Sequence, residues 1–334
     1  LDGLGRLEEA EAVNRRAVEA SRDLLGTMNP NTVIRIGNLG LIQMRRGNYA
    51  DAEANILEAH ELVNEVWDTD SYRKIWAAEM KGNALRLAGK FGAASDAYDE
   101  MMQLSIEHHG ENSWRHASAL RARGIWLVEM ARYERALDIL NEAVSIAVAL
   151  DEDPGRDVSR GSIRIAEAET ALGNYAAAER AARAALDTSP LPVTTRLHLE
   201  RELAASVSHQ LRGEEATAMI LASVRAWEDF SGPESVGLLP SLIEASGHFR
   251  RSGDPQRALE YSRRAAAIAD TITPDHNWRA ALANAEYGRA LAAAGRSDEA
   301  GPVLRQAAAD LATTFGADDP RVAALESDLA SAAN

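Results

Sequence analysis

The chain has 334 residues, 46% hydrophobic and 26% charged with 10 prolines, a composition that excludes a collagen-like rod and argues against wholesale disorder. A formal charge of −15 argues against a protein that coats nucleic-acid phosphates or anionic membranes. The absence of cysteine removes disulfides, thiolate metal ligands, iron–sulfur clusters and a thiol nucleophile; it is compatible with a reducing compartment, and the expected location is the cytoplasm.

Read in chain order, the predicted elements are helices that come in pairs. A short pattern, Gly-x-hydrophobic-x-x-Ala, starts at Gly5 and returns at Gly47, Gly89, Ala131, Gly173, Gly213, Gly253 and Gly295, at spacings of 42, 42, 42, 42, 40, 40 and 42. The fifth residue after each start is alanine: Ala10, Ala52, Ala94, Ala136, Ala178, Ala218, Ala258 and Ala300. From the second copy onward a small residue stands seven positions before the start: Gly40, Gly82, Gly124, Ala166, Ser206, Ser246 and Gly288. Two antiparallel helices approach closely only where small side chains cross, so both columns predict helix–helix contacts that a larger residue would overpack. Between these markers the apolar residues keep helical spacing, as in Tyr49, Ala52, Ile56, Ala59, Val63 and Val66. No segment reads as a strand.

The predicted organisation is a truncated first repeat over 1–26, repeats over 27–68, 69–110, 111–152, 153–192, 193–232, 233–274 and 275–316, and a capping helix over 317–334. Each repeat is a helix-turn-helix hairpin that stacks on its neighbours into an all-α solenoid. Pro302 lies inside a predicted helix, where it removes one backbone hydrogen bond without ending the helix. Because Leu1 falls inside the first helix of a repeat, further sequence is expected upstream, and the cut face is an expected route to self-association.

Asn38-Leu39-Gly40, Gly47-Asn48-Tyr49, Asn29-Pro30 and Asp319-Pro320 carry a resemblance to the tetratricopeptide repeat family, in its 42-residue form seen in kinesin light chains and bacterial signalling proteins. The likeness runs through the whole chain. It departs late, where Glu215, Pro255 and Ser297 fill a slot that is aromatic in earlier repeats. The resemblance implies a right-handed α–α superhelix whose first helices line a concave groove. Family members that bind peptides often carry an asparagine ladder there; the matching positions read Asn38, Met80, Ala122, Arg164, Ala204, Glu244 and Glu286, so side-chain recognition is expected instead.

Catalytic motifs are missing: no GxxxxGK[ST], no GxGxxG after a strand and no GxSxG. The cluster Glu107-His108-His109-Gly110-Glu111 with His116 lacks a helical His pair and reads as solvated loop residues. Asp151 to Asp157 lacks the twelfth-position acid of a calcium loop and reads as a turn with helix-capping carboxylates. No enzyme, metal or cofactor is expected. The predicted function is a scaffold that holds a peptide segment or partner protein in the groove; the alternative is a peptide- or ligand-sensing regulatory module. No nucleic acid or membrane is an expected partner. The candidate binding residues are Asn38 and Arg45; Tyr72, Trp76, Glu79, Asn83 and Arg86; Trp114 and Arg121; and Arg160 and Arg164. Aromatic side chains and arginines are common interface hot spots, and an arginine track suits carboxylates held by paired hydrogen bonds.

Overall fold

A computed structural model describes residues 6–67, 71–150, 154–188, 190–272 and 277–332. The predicted start of the first repeat (1–5), the acidic stretch 151–153 and parts of the turns at 68–70, 189 and 273–276 lie outside them. The described residues form helices and no strand. After α1 (Leu7–Leu25) come seven hairpins: α2 (Pro30–Arg46) with α3 (Tyr49–Val66), α4 (Ser71–Leu87) with α5 (Phe91–His109), α6 (Trp114–Glu129) with α7 (Tyr133–Leu150), α8 (Pro154–Ala171) with α9 (Tyr175–Leu186), α10 (Val193–His209) with α11 (Gly213–Ser231), α12 (Leu239–Arg251) with α13 (Pro255–Ala269), and α14 (Trp278–Ala293) with α15 (Ser297–Phe315). A last helix, α16 (Pro320–Ala332), follows. The chain divides into two compact units, Leu1–Ala122 with Ile272–Asp275, and Arg123–Thr271 with His276–Asn334. No described helix is long and apolar enough to cross a membrane.

The crossing-point prediction is visible atom by atom. A Cβ added to Gly40 would fall 2.7 Å from Ile56, one on Gly82 2.6 Å from the Tyr98 ring, one on Gly124 2.5 Å from Leu140 and one on Gly288 2.7 Å from Leu304. In these four hairpins the backbone of the first helix therefore lies directly against a large side chain of its partner. Helix starts are capped as the turn residues imply: Asn29 accepts from the Asn31 amide with Pro30 at the first helical position, and Asn277 accepts from the Arg279 amide. Pro302 sits within α15, and the helix runs on past it.

Within each hairpin a residue turns left-handed to end the first helix. It is Gly47 (φ +85°), Gly89, Ala131 (φ +52°), Gly173, Leu211 (φ +57°), Gly253 and Gly295 in turn. In the α10–α11 hairpin Gly213, which opens the second helix, also has a positive φ, of +33°. After six of the seven turn residues the next amide reaches back to close the last turn, as Asn48 does to the Gln43 carbonyl at 3.0 Å and Arg132 to Leu127 at 2.9 Å, and Leu211 itself donates to the Ser208 carbonyl at 3.1 Å. This corrects the register of the sixth repeat. Its turn residue is Leu211, not Gly213, so the spacings around it are 38 and 42 rather than 40 and 40. Ala216, five residues on, is fully buried, whereas Ala218 is exposed, and Ala204 takes the crossing position beside the equally buried Ser206. The aromatic slot of that repeat then holds Gly213 rather than Glu215. The four missing residues are about one helical turn. They are the net of a shorter α9, with 12 residues where α3 and α7 have 18, and a connection to α10 that is two residues longer than the one from α3 to α4.

Candidate functional site

In the first unit the predicted binding residues separate into two groups. Asn38, Arg45, Tyr72 and Trp114 are exposed. Tyr72 and Trp114 are joined by a residue that was not singled out from sequence: the Arg115 guanidinium lies 4.1 Å from the Tyr72 ring centre and 3.4 Å from that of Trp114. Arg73 stacks over Trp67 and Tyr72, both at 5.5 Å, so aromatic rings and guanidinium groups alternate along this edge. The remaining residues turn inward. Trp76 packs over Gly37, where an added Cβ would meet the indole at 2.5 Å, and joins a cluster with Val33, Val63 and Ala77. Arg86 is buried; its Nε donates to the Tyr98 hydroxyl at 3.2 Å, and that hydroxyl donates to Asn83 at 3.1 Å. Arg121 donates to Ser118 at 3.0 Å and lies 3.7 Å from the Glu79 carboxylate. His116 is not a solvated loop residue: it is buried against Ser105 at 3.2 Å, while His108 and His109 are exposed.

The second unit carries a half-open cavity of about 620 Å³, within the usual range for small-ligand sites. Its walls come mainly from the first helices α8, α10, α12 and α14. Nine residues before each left-handed turn residue, the corrected register gives Arg164, Glu202, Glu244 and Glu286, and all four line the cavity. In the first unit the same column reads Asn38, Met80 and Ala122. The register slip therefore hid Glu202, because the uncorrected spacing put Ala204 in its place. Of the predicted arginines only Arg164 faces this space; Arg160, one turn earlier on α8, is half-buried and does not line it.

The cavity carries balanced charge: arginines 164, 201, 279, 289 and 321 face glutamates 129, 167, 202, 244 and 286. Most are paired. Arg164 bonds Glu167, Arg201 Nε donates to Glu202 at 3.1 Å, Arg251 reaches Glu244 at 2.7 Å, and Glu286 accepts from Arg250 at 3.2 Å and Ser246 at 3.0 Å. Burial pushes the Glu202 and Glu244 carboxyls up, and their neighbouring arginines only partly offset it. Burial acts the same way on Glu167, but there Arg164 and Arg201 outweigh it and hold the carboxyl down. His198 is pushed well below the usual histidine range by burial and by Arg201. Its Nδ1 lies 3.2 Å from Arg201 Nη1, which can only donate, so the ring is neutral with its proton on Nε2. His209 stacks on Tyr175 with centroids 4.9 Å apart and is pushed down to about 4 by burial, Arg251 and Arg250. Tyr133, Leu239, Pro240, Ile243, Trp278 and Leu282 supply the apolar and aromatic part of the wall. Across one end, Arg279 and Arg321 meet Glu129, which precedes them by 150 and 192 residues. No sequence periodicity reports a contact of that kind.

No family model matches the chain, and no curated protein matches it. Solved structures do. The apo form of RapI is similar at 14% identity over 80% of this chain and 93% of its own, with a TM-score of 0.59. A Rap protein complexed with Competence and Sporulation Factor is similar at 13% identity over 98% of this chain and 95% of its own, with a TM-score of 0.53. A tetratricopeptide repeat protein from Parabacteroides merdae ATCC 43184 aligns at 17% identity over 84% and 93%, with a TM-score of 0.49. The chain has the tetratricopeptide-repeat fold. In this solenoid the cavity wall is made of equivalent positions on successive repeats, so one column of the sequence becomes one stripe of the site.

Proposed function

We propose that this repeat protein is a non-catalytic interaction module that takes a short polypeptide segment into the cavity of its second unit. The carrying observation is the column Arg164, Glu202, Glu244 and Glu286, four ionisable side chains at one repeat position, all on the wall of one cavity. Arginine and glutamate side by side with an aromatic wall suit a ligand that presents charges of both signs and apolar groups, as a peptide does. A space of about 620 Å³ suits a short segment better than a folded surface, which favours the sensing alternative over a scaffold for folded partners. One protein of this fold has been solved complexed with Competence and Sporulation Factor, which supports the same reading. The cysteine-free composition fits a cytoplasmic setting.

The exposed Tyr72–Arg115–Trp114 stack of the first unit favours a second, additional role in docking a partner protein. The two surfaces are separable by a variant that fills the cavity. Ala171 lines it and is exposed, so Ala171→Trp adds bulk without entering a packed core. A randomised tetrapeptide pool is expected to be retained by the immobilised wild-type chain and to lose at least ten-fold in retention on A171W, with an unchanged helical circular-dichroism spectrum. Equal retention by both proteins rejects the cavity as the peptide site.

A further inference from the structure

Behind the cavity wall a file of hydrogen bonds runs from Glu244 across three helices. Arg251 Nη2 donates to Glu244 Oε1 at 2.7 Å and to Ser208 Oγ at 2.8 Å. Ser208 Oγ lies 2.9 Å from His248 Nδ1. His248 Nε2 lies 2.9 Å from Thr217 Oγ1, which donates to the Gly213 carbonyl at 3.0 Å. Ser208 sits on α10, Thr217 and Gly213 on α11, and Glu244, His248 and Arg251 on α12. Glu244 lines the cavity, whereas Ser208 and His248 are buried behind it. Gly247 leaves room for the arginine: a Cβ there would meet Arg251 Nη1 at 3.0 Å.

The direction of each bond follows from its neighbours. Thr217 gives its hydrogen to the Gly213 carbonyl, so it accepts from His248 Nε2–H. Burial, and after it Arg251, holds the His248 ring below the usual histidine range, so the ring is neutral at pH 7. Arg251 is the charged group acting on it among the described residues; α10 and α11 face it with the hydroxyls of Ser208 and Thr217. Nδ1 of the neutral ring accepts the Ser208 hydrogen, which leaves Ser208 Oγ to receive Arg251. A proton on Nδ1 reverses that bond. An imidazolium and a guanidinium then converge on one buried oxygen, and the Ser208 hydrogen has no other acceptor among the described residues.

We propose that His248 is a positioning residue for the cavity: the neutral ring keeps Ser208 turned to receive Arg251, Arg251 holds Glu244 ready to accept an N–H of the ligand, and a proton on Nδ1 undoes both. This rests on the cavity being a peptide site and adds which wall residue is held in place and what releases it. His248 does not line the cavity, so ligand binding is tied to the protonation state of a ring the ligand never touches.

The test uses the full chain and a randomised tetrapeptide pool. Nitrogen NMR of the histidine side chains, with His248→Asn as the assignment control, is expected to find the proton on Nε2 and gives the pH at which the ring titrates. Retention of the pool is then compared well above and well below that pH, with circular dichroism at both. It should fall about five-fold or more on the acid side in wild type and less than about two-fold in H248N, which offers Ser208 an acceptor in place of Nδ1 and cannot gain a charge. The carboxyl groups of the peptides and of the cavity titrate in both proteins. Glu244→Gln, which removes the charge Arg251 holds, should abolish the extra acid loss. Ser208→Ala, compared at pH 7.5, should lower retention about three-fold at an unchanged helical signal, and so tests the file without acid. An acid loss no greater in wild type than in H248N, a proton on Nδ1, or undiminished retention by S208A overturns the positioning role while leaving the cavity as a peptide site. An extra acid loss that persists in E244Q overturns the route through Glu244. No retention of the pool by wild type at pH 7.5 overturns both readings.

Discussion

At the scale of single residues, the second unit holds titratable groups away from their ordinary values by burial beside arginines. His209 is the clearest. Its ring is neutral down to about pH 4 in the folded chain, whereas in the unfolded chain it takes a proton near 6.5. The unfolded state therefore binds more protons between pH 4 and 6.5, and stability from this group falls as the pH drops through that window. At face value such a shift is worth about 3 kcal/mol; partial solvent exposure of the ring reduces this to about 1–2 kcal/mol. Replacing His209 with Gln should flatten that part of the profile. The measurement is the difference in unfolding free energy between wild type and H209Q at pH 7 and pH 4.5, by denaturant titration. A difference that does not change with pH refutes the assignment. The same residue marks the limit of what sequence shows: His209 is one of eight histidines, and nothing in the linear pattern distinguishes it, because its environment is made by Tyr175, Arg250 and Arg251 from other helices.

At the scale of elements, each hairpin needs two special backbone positions with opposite demands. The crossing position must be small because a partner side chain occupies the space; the turn position must go left-handed, which costs a residue with a Cβ about 1–2 kcal/mol. Glycine was legible at both in most repeats. The sixth repeat misled because Leu211 holds the left-handed conformation while a true glycine lies two residues on, and because α9 is shorter than its counterparts. The two positions should answer oppositely to substitution. Gly82→Leu drives side-chain atoms into the Tyr98 ring and should lower stability by about 1–3 kcal/mol or more. Leu211→Gly relieves the turn at an exposed site and should raise stability by about 0.5–1 kcal/mol, after the added entropy of glycine in the unfolded chain. Thermal unfolding of the two variants decides it; a destabilised L211G contradicts the corrected register.

At the scale of the molecule, the succession of like hairpins was readable along the sequence, since packing within each unit depends largely on contacts between neighbours in sequence. The site was not. The aromatic and arginine residues singled out from sequence lie mostly in the first unit, where Trp76, Asn83, Arg86 and Arg121 are drawn into packing and internal hydrogen bonds. One end of the cavity in the second unit is formed where Glu129 meets Arg279 and Arg321, 150 and 192 residues further along the chain, a contact that no local pattern in the sequence reports. Among the four charged members of its wall column, Arg164 was selected for its charge, Glu244 and Glu286 appeared only as departures from an asparagine ladder, and Glu202 fell out of register.

Where a peptide sits on the full chain is therefore the decisive observation. A tetrapeptide pool carrying a photoreactive benzophenone, irradiated with the protein and mapped by mass spectrometry after digestion, locates the site whatever the sequence of the peptide bound. Crosslinks on the cavity-facing residues of α8, α10, α12 and α14 are the predicted result. Crosslinks confined to the Tyr72–Trp114 edge, with none on those four helices, would contradict it.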